Sequence, residues 1–533
     1  MTLNRRDFTQ LLALAGAAAF LPRSAALATD AKPVQGGTLN FVYYPEPNQL
    51  VGINTSAGGP ATIGPKLFEG LLSYGYDLTP RAQLATSWSI SADGLAYTFN
   101  LRPGVKFSDG HPLTSEDVAF SLLRLKEAHP RGRVTFANVV SIDSSDPLVA
   151  VIHLSKPSAP LISALAATES PIVPKHVFEA IKATDDPAIA QIIGSGPFVL
   201  KEWVKGSHVL VERNPLYWDA PKPYLDRIVF RFIEDAGARS AAFETGEADI
   251  GPDPIALGDL GRFKQLGKFV VDTTVFGYSG PLNQLLVNLD NPLLQDVRVR
   301  QAIAHAINLE AINKIVFFGY GQVSPTPISI AESKWYDPSI GPTKFDTKLA
   351  EKLLDDAGHP RGAGGIRFKP RLTNNPYNPP EYLDFLRPAL AKIGIDIDLQ
   401  RFDFATYVKT IYTDRTWDLS VEDCGNIFDP SAGAQRLYWS KNIKIGLPFS
   451  NGAHYSNPEV DKLLEAAAIE TDEKKRRELL FKFQEIIAQE LPIINLIAPP
   501  TIVVAKKGVQ NYAPGAEGLS GNFADAWVDP ARA

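Results

Sequence analysis

Residues 194–250, GSGPFVLKEWVKGSHVLVERNPLYWDAPKPYLDRIVFRFIEDAGARSAAFETGEADI, decide the fold of this chain. Gly194 and Gly196 flank Ser195 ahead of Pro197, a turn in which glycine supplies positive φ and proline fixes the exit. Apolar residues then alternate over 198–203 and 208–213, on either side of Lys205 and Gly206, and a period of two marks strands half buried on one face. The two runs predict a hairpin. Asn214, Pro215, Pro221 and Pro223 interrupt the chain before a third strand over 226–233, and 238–247 reads as a helix closed by Gly246. The module is a mixed sheet-and-helix unit, a pattern that by itself assigns no chemistry.

Outward from this stretch the same vocabulary continues. Residues 38–44 alternate as a strand that Pro45, Pro47 and Asn48 end in a loop, and 64–72 form a short helix. Trp88 and Ile90 face Tyr97, Phe99 and Leu101 across an Asp93-Gly94 turn, a strong hairpin signal. Thr114 caps a helix with Asp117 at its third position, a variant capping box, and 139–154 is β-rich. Downstream, 285–289 is a strand containing Asn288. Asp296 caps a helix whose Val299, Ile303, Ala306 and Ile307 share one face. Helix and strand alternate from 349 to 412, which argues for an α/β lobe. Asn457 and Pro458 open a further helix, Thr471 caps 472–489, and the apolar strand 493–497 is expected to return the chain to the first lobe.

At 533 residues the chain exceeds one compact core, so two or more domains are expected. Lys and Arg number 53 against 59 Asp and Glu, a net charge of −6 with no basic stripe, and nucleic acid is not an expected partner. Residues 1–28 stand apart. Arg5, Arg6, Asp7 and Phe8 precede an apolar run over 11–21, and Ala26-Leu27-Ala28 is a small-residue cleavage site, so the segment is similar to a twin-arginine export signal. Arg23, just before the cleavage site, favours that route over an ordinary secretory signal. The apolar run is about half the ~20 residues that span a bilayer. The lone Cys424 excludes an intrachain disulfide, and no cysteine stands at the cleavage site to take a lipid. A soluble, exported protein of the periplasm is expected.

Catalytic motifs are missing from the sequence: there is no HExxH, no paired CxxC, no GxxxxGK and no GxSxG. The eight histidines include no pair at i, i+3 or i+4, so neither a metal site nor a cofactor is expected. The best binding constellation is 417–439, WDLSVEDCGNIFDPSAGAQRLYW, where Leu419 and Val421 alternate as a strand and a loop over 425–430 breaks it. Aromatic and polar groups in such a loop can line a mostly apolar cleft. The candidates are Trp417, Asp423, Cys424, Gly425, Asn426, Phe428, Arg436 and Trp439. Tyr44 and Glu46 join them from the loop that ends the first strand. Each has a plainer reading: Trp417 and Trp439 as core, Arg436 and Glu46 as solvated surface, Cys424 as a small buried side chain, and Asp429 as a loop former.

The wording of several segments resembles bacterial extracellular solute-binding proteins of family 5, the oligopeptide, dipeptide and nickel receptors of ABC importers. The matching residues are Gly194, Gly196, Pro197, Trp203, Glu212, Arg213, Asn214, Pro215, Tyr217, Trp218, Gly246, Glu247 and Asp249. Phe99, Leu101, Arg102, Gly104, Val105, Phe107, Asp109, Gly110, Asp117 and Val118 match a second family phrase, and the Val-Arg-x-Ala-Ile helix after Asp296 a third. The resemblance covers about residues 36–500. It implies an α/β, two-lobed periplasmic-binding-protein fold of type II with an extra subdomain and a hinge. The first lobe would comprise 29–72, 194–286 and 490–533, the inserted subdomain 73–193 and the second lobe 287–489. It also implies a monomer that hands its ligand to a membrane permease driven by a separate ATPase, without inserting in the membrane. His176 belongs to a Pro-Lys-His phrase that the family carries structurally. Where peptide receptors of the family place an aspartate that pairs with the ligand's α-amino group, this chain has Asn426, which cannot neutralise an ammonium. Either Asp423 or Glu46 supplies that charge, or the ligand has no free α-amino terminus. An exported hydrolase using the cleft, or a chemoreceptor partner of the same fold, are the competing functions.

Overall fold

The computed structural model describes residues 32–531 apart from 184, 254, 274–276, 377, 424 and 426. The export segment 1–28, Cys424 and Asn426 therefore lie outside the described residues. The opening stretch folds as a meander: Phe198–Val204 pairs antiparallel with His208–Arg213, which pairs antiparallel with Arg227–Phe232. Arg227–Phe232 then lies parallel to Thr38–Tyr43, which also pairs parallel with Ile250–Pro252. Antiparallel Val503–Lys506 and Phe269–Asp272 complete a seven-stranded sheet. The helix Ala236–Thr245 is capped where the Asp235 carboxylate accepts from Ala238 N at 2.7 Å, and Gly246, at φ 87°, closes it.

Gly194 and Gly196 serve a different need from the positive φ expected of them. Neither has positive φ. A Cβ on Gly194 would stand 2.0 Å from Leu67 O, and one on Gly196 2.6 Å from Leu67 C. The glycines let this turn press against the end of the helix Gly58–Leu67. There Ser195, Tyr217 and Trp218 all donate to the buried carboxylate of Glu69, at 3.1 to 3.2 Å. Burial pushes that carboxyl up to about 7 against these hydrogen bonds and the Arg102 charge.

Between these segments a four-stranded antiparallel sheet is inserted, in the order Ala85–Ile90, Ala96–Leu101, Val149–Leu154, Val139–Asp146. The helix Ser115–Ala128 packs on it through Val118, Leu122 and Leu125. Its capping box is formed, with Thr114 N donating to Asp117 at 2.8 Å.

The second lobe is a six-stranded sheet in the order Gln322–Val323, Ile493–Ala498, Asn283–Val287, Leu419–Asp423, Arg371–Asn374, Asp398–Leu399. Its central strands Asn283–Val287 and Ile493–Ala498 are buried throughout because both faces are covered. Leu285 and Val287 face one core cluster, and Leu286 faces another, built around Trp417, Tyr407 and Phe483. The strand over 493–497 thus pairs antiparallel with Asn283–Val287 in the second lobe instead of returning to the first. Six consecutive apolar or amide side chains suit a strand covered on both sides, which either sheet could have offered. The chain passes between the sheets after Phe269–Asp272 and again before Val503–Lys506.

Candidate ligand-binding site

In the first sheet the parallel strands Thr38–Tyr43, Arg227–Phe232 and Ile250–Pro252 end together, in register at Tyr43 and Phe232. In the second, Arg371–Asn374 and Leu419–Asp423 are parallel. The carboxyl ends of parallel strands are where open α/β sheets bind ligands, because the chain leaves the sheet there and exposes polar groups on rigid supports. Three charged or aromatic groups follow from the first lobe, namely Tyr44, Arg239 and Asp253. Asn375, Asp423 and Arg436 come from the second.

Asp253 and Asp423 share one condition. Each is open to solvent, yet surrounding protein desolvates it enough to push its carboxyl up to about 6. Such a side chain stands at the surface with protein packed close around it. Each is also held by the backbone where the chain passes between lobes: Ile502 N donates to Asp253 Oδ1 at 2.9 Å, and Leu282 N–H donates to Asp423. Arg239 lends Asp253 a positive charge, and Arg436 does the same for Asp423. The half-buried Arg436 keeps its Nε without a hydrogen-bond partner among the described residues. Tyr44 is 49% exposed, with Arg239 over its ring at 5.5 Å.

Behind Asp423 lies Glu422, wholly buried and pushed up to about 7 by that burial. Asn375 donates to its Oε1, and Tyr407 OH to its Oε2 at 2.7 Å. With donors on both of its oxygens, this side chain locks the strand end beneath Asp423.

Other predicted residues fall elsewhere. Glu46 has both oxygens engaged within the first lobe, by Trp203 Nε1 and Gly206 N. Trp417 is 0% exposed and donates to Ile411 O at 3.1 Å. It is a core side chain, because its strand enters the sheet with that residue beneath the covering helices, and it is removed from the ligand-facing set. Phe428 is 2% exposed and packs on Tyr278 at 5.9 Å between ring centres, at the junction with the first lobe's core. It too is removed. Gly425 belongs to a close approach, since a Cβ there would stand 2.6 Å from Ser279 O. Trp439 is half buried, its Nε1 donating to Glu465 at 2.8 Å. Asp429 is fully buried in a two-point ion pair with Arg476.

Asp253, Arg239, Glu422 and Asn375 were not singled out in the sequence. Asp253 stands between Pro252 and Pro254 directly after a strand, and Glu422 is a charge inside an apolar strand. Both were legible signals of a strand end with a special side chain. A cavity of about 270 Å³ lies away from this site, within the first lobe. Lys222 is paired there with Asp219 and Asp525, so that cavity is walled by satisfied charges.

Two sheets joined by two crossings, with polar groups at their carboxyl ends, define a two-lobed periplasmic-binding-protein fold of type II. The family of bacterial extracellular solute-binding proteins, family 5 (middle), matches residues 79–444, and the chain belongs to it. The glutathione-binding protein GsiB of Salmonella typhi is 27% identical over 467 residues, covering 84% of this chain and 86% of that protein. The periplasmic binding protein DppA of Helicobacter pylori, solved with the peptide STSA, has a TM-score of 0.77 at 26% identity, covering 93% of this chain and 98% of its own. NikA of Brucella suis, solved with Fe(III)-EDTA, has a TM-score of 0.80 at 25% identity, covering 92% of this chain and 100% of its own. Among the described residues no helix is long and apolar enough to cross a membrane.

Proposed function

We propose that the protein is the ligand-capturing component of an ABC importer, exported by the twin-arginine route to the periplasm, where it works as a monomer without catalysis. Its cargo is a peptide-like solute bearing both a cation and a carboxylate. The observation that carries this reading is the pairing of an accessible, partly desolvated Asp423 with Arg436, whose Nε has no partner among the described residues. Asp423 takes the ligand's cation in place of the neutral Asn426, and Arg436 its carboxylate. Asp253 and Tyr44 meet the ligand from the first lobe. Ligand touching both lobes favours the closed state only by its differential affinity for it, and the closed form is what the permease engages.

The binding of glutathione by GsiB and of STSA by DppA supports a zwitterionic, peptide-like cargo. Native mass spectrometry of the protein as purified, followed by calorimetry with glutathione and free-amine dipeptides, tests the proposal. A stoichiometric, unmodified peptide-like ligand is the expected result. Turnover of that ligand, or preference for a neutral apolar solute, would overturn it.

A further inference from the structure

We propose that Asp109, His111 and His176 form a surface site for one divalent transition-metal ion of the Zn(II) kind, separate from the ligand cleft. The three side chains offer ligand atoms that all lie within 4.8 Å of one another, and all three are open to solvent. Both imidazoles converge on one oxygen: His176 Nε2 lies 2.8 Å and His111 Nδ1 3.1 Å from Asp109 Oδ2. Tetrahedral zinc, with bonds of about 2.0–2.1 Å, holds its donors roughly 3.3 Å apart. The two nitrogen–oxygen distances, 2.8 and 3.1 Å, need to lengthen by only a few tenths of an ångström to admit the ion. Two neutral imidazoles and one carboxylate leave a fourth position for water.

The support is rigid on both sides. Asp109 and His111 sit on a tight turn in which Gly110 N donates to Phe107 O, Phe107 N donates to His111 O, and Ser108 N donates to Gly194 O, at 2.9 to 3.0 Å. His111 N occupies Asp109 Oδ1 at 3.1 Å, which leaves Oδ2 facing the two imidazoles and fixes the carboxylate's rotation. His176 lies in the short helix Lys175–Phe178, where Lys175 N is tied to Asp117 Oδ1 at 2.9 Å. The His111 and His176 rings lie 4.1 Å apart, an arrangement that two imidazolium ions would resist and a shared cation satisfies. Without metal, a ring N–H donates to Oδ2. On binding, the ring carries its proton on the other nitrogen and gives the freed lone pair to the ion.

The test is calorimetric titration of Zn(II) into the full mature chain, prepared without a polyhistidine tag and stripped with chelator. One equivalent is expected to bind, and His111→Ala to weaken it at least tenfold while leaving the metal-free thermal midpoint unchanged. Co(II) absorption provides a second measurement: a d–d band typical of tetrahedral coordination, lost in His111→Ala. The proposal is overturned if no saturable binding occurs, or if His111→Ala and Asp109→Asn bind as the parent does. Neither result bears on ligand capture in the cleft.

Discussion

Glu46 Oε1 accepts a hydrogen bond from Trp203 Nε1 at 2.9 Å, and its Oε2 accepts one from Gly206 N at 2.8 Å. With both oxygens taken, the carboxylate ties the loop after the first strand to the tip of the Phe198–Val204 hairpin. Glu46→Ala is therefore expected to lower stability by about 1–3 kcal/mol. Its effect on peptide affinity should stay within a few-fold. Urea unfolding and calorimetry on the same preparation check both; a large affinity loss without destabilisation would return Glu46 to the binding site.

The Asp429–Arg476 pair predicts a larger effect. Arg476 donates to both oxygens of Asp429, at 2.8 and 2.6 Å, and its Nε is held by Ala467 O at 2.8 Å. Removing one charge leaves the other buried and uncompensated, so Asp429→Ala should cost about 3–5 kcal/mol. A denaturation midpoint close to wild type would show that the pair relaxes into water.

Glu69 makes stability depend on pH in a stated direction. Its carboxyl stands at about 7 when folded against the usual 4.5, so between those values the folded state holds a proton that the unfolded state has lost. This group's contribution is fully present below pH 4.5 and declines as pH rises to 7. Glu69→Gln should gain relative to wild type by on the order of 1–3 kcal/mol between pH 5 and pH 8. Parallel pH series of thermal unfolding measure the difference, and parallel curves would refute it.

Asp423, at about 6, gives ligand binding the opposite trend. A cation needs the carboxylate, so affinity for a free-amine dipeptide should rise as pH goes from 5 to 7, by at most about tenfold per unit. Asp423→Asn should abolish that slope, and Asn426→Asp should strengthen binding of amine-terminated peptides. An unchanged affinity across a peptide panel in both variants would remove this loop from ligand recognition.

Much of the fold was legible because its signals are local. Alternation over 198–213 reports which face of a hairpin is buried, Thr114 with Asp117 reports a helix start, and so do Asp296 and Asn457. Other features needed partners distant in the chain. Gly194 and Gly196 looked like turn residues, but it is Leu67 that excludes their side chains. Trp417 and Phe428 looked like cleft aromatics, and their burial is decided by helices and by Tyr278. Asp253 and Asp423 become comparable only once two sheets are seen to end beside the crossings at Ile502 and Leu282.

The sequence by itself determined the family, the strand and helix content of the opening stretch, and the neutral Asn426 where an acid was expected. Periodicity, capping and phrase order are properties of neighbouring residues. Tertiary structure alone decided that 493–498 belongs to the second lobe, that Glu46 braces a hairpin, and that His111 and His176 meet at Asp109. Those outcomes depend on which surfaces pack together, and spacing along the chain carries no measure of distance across the fold.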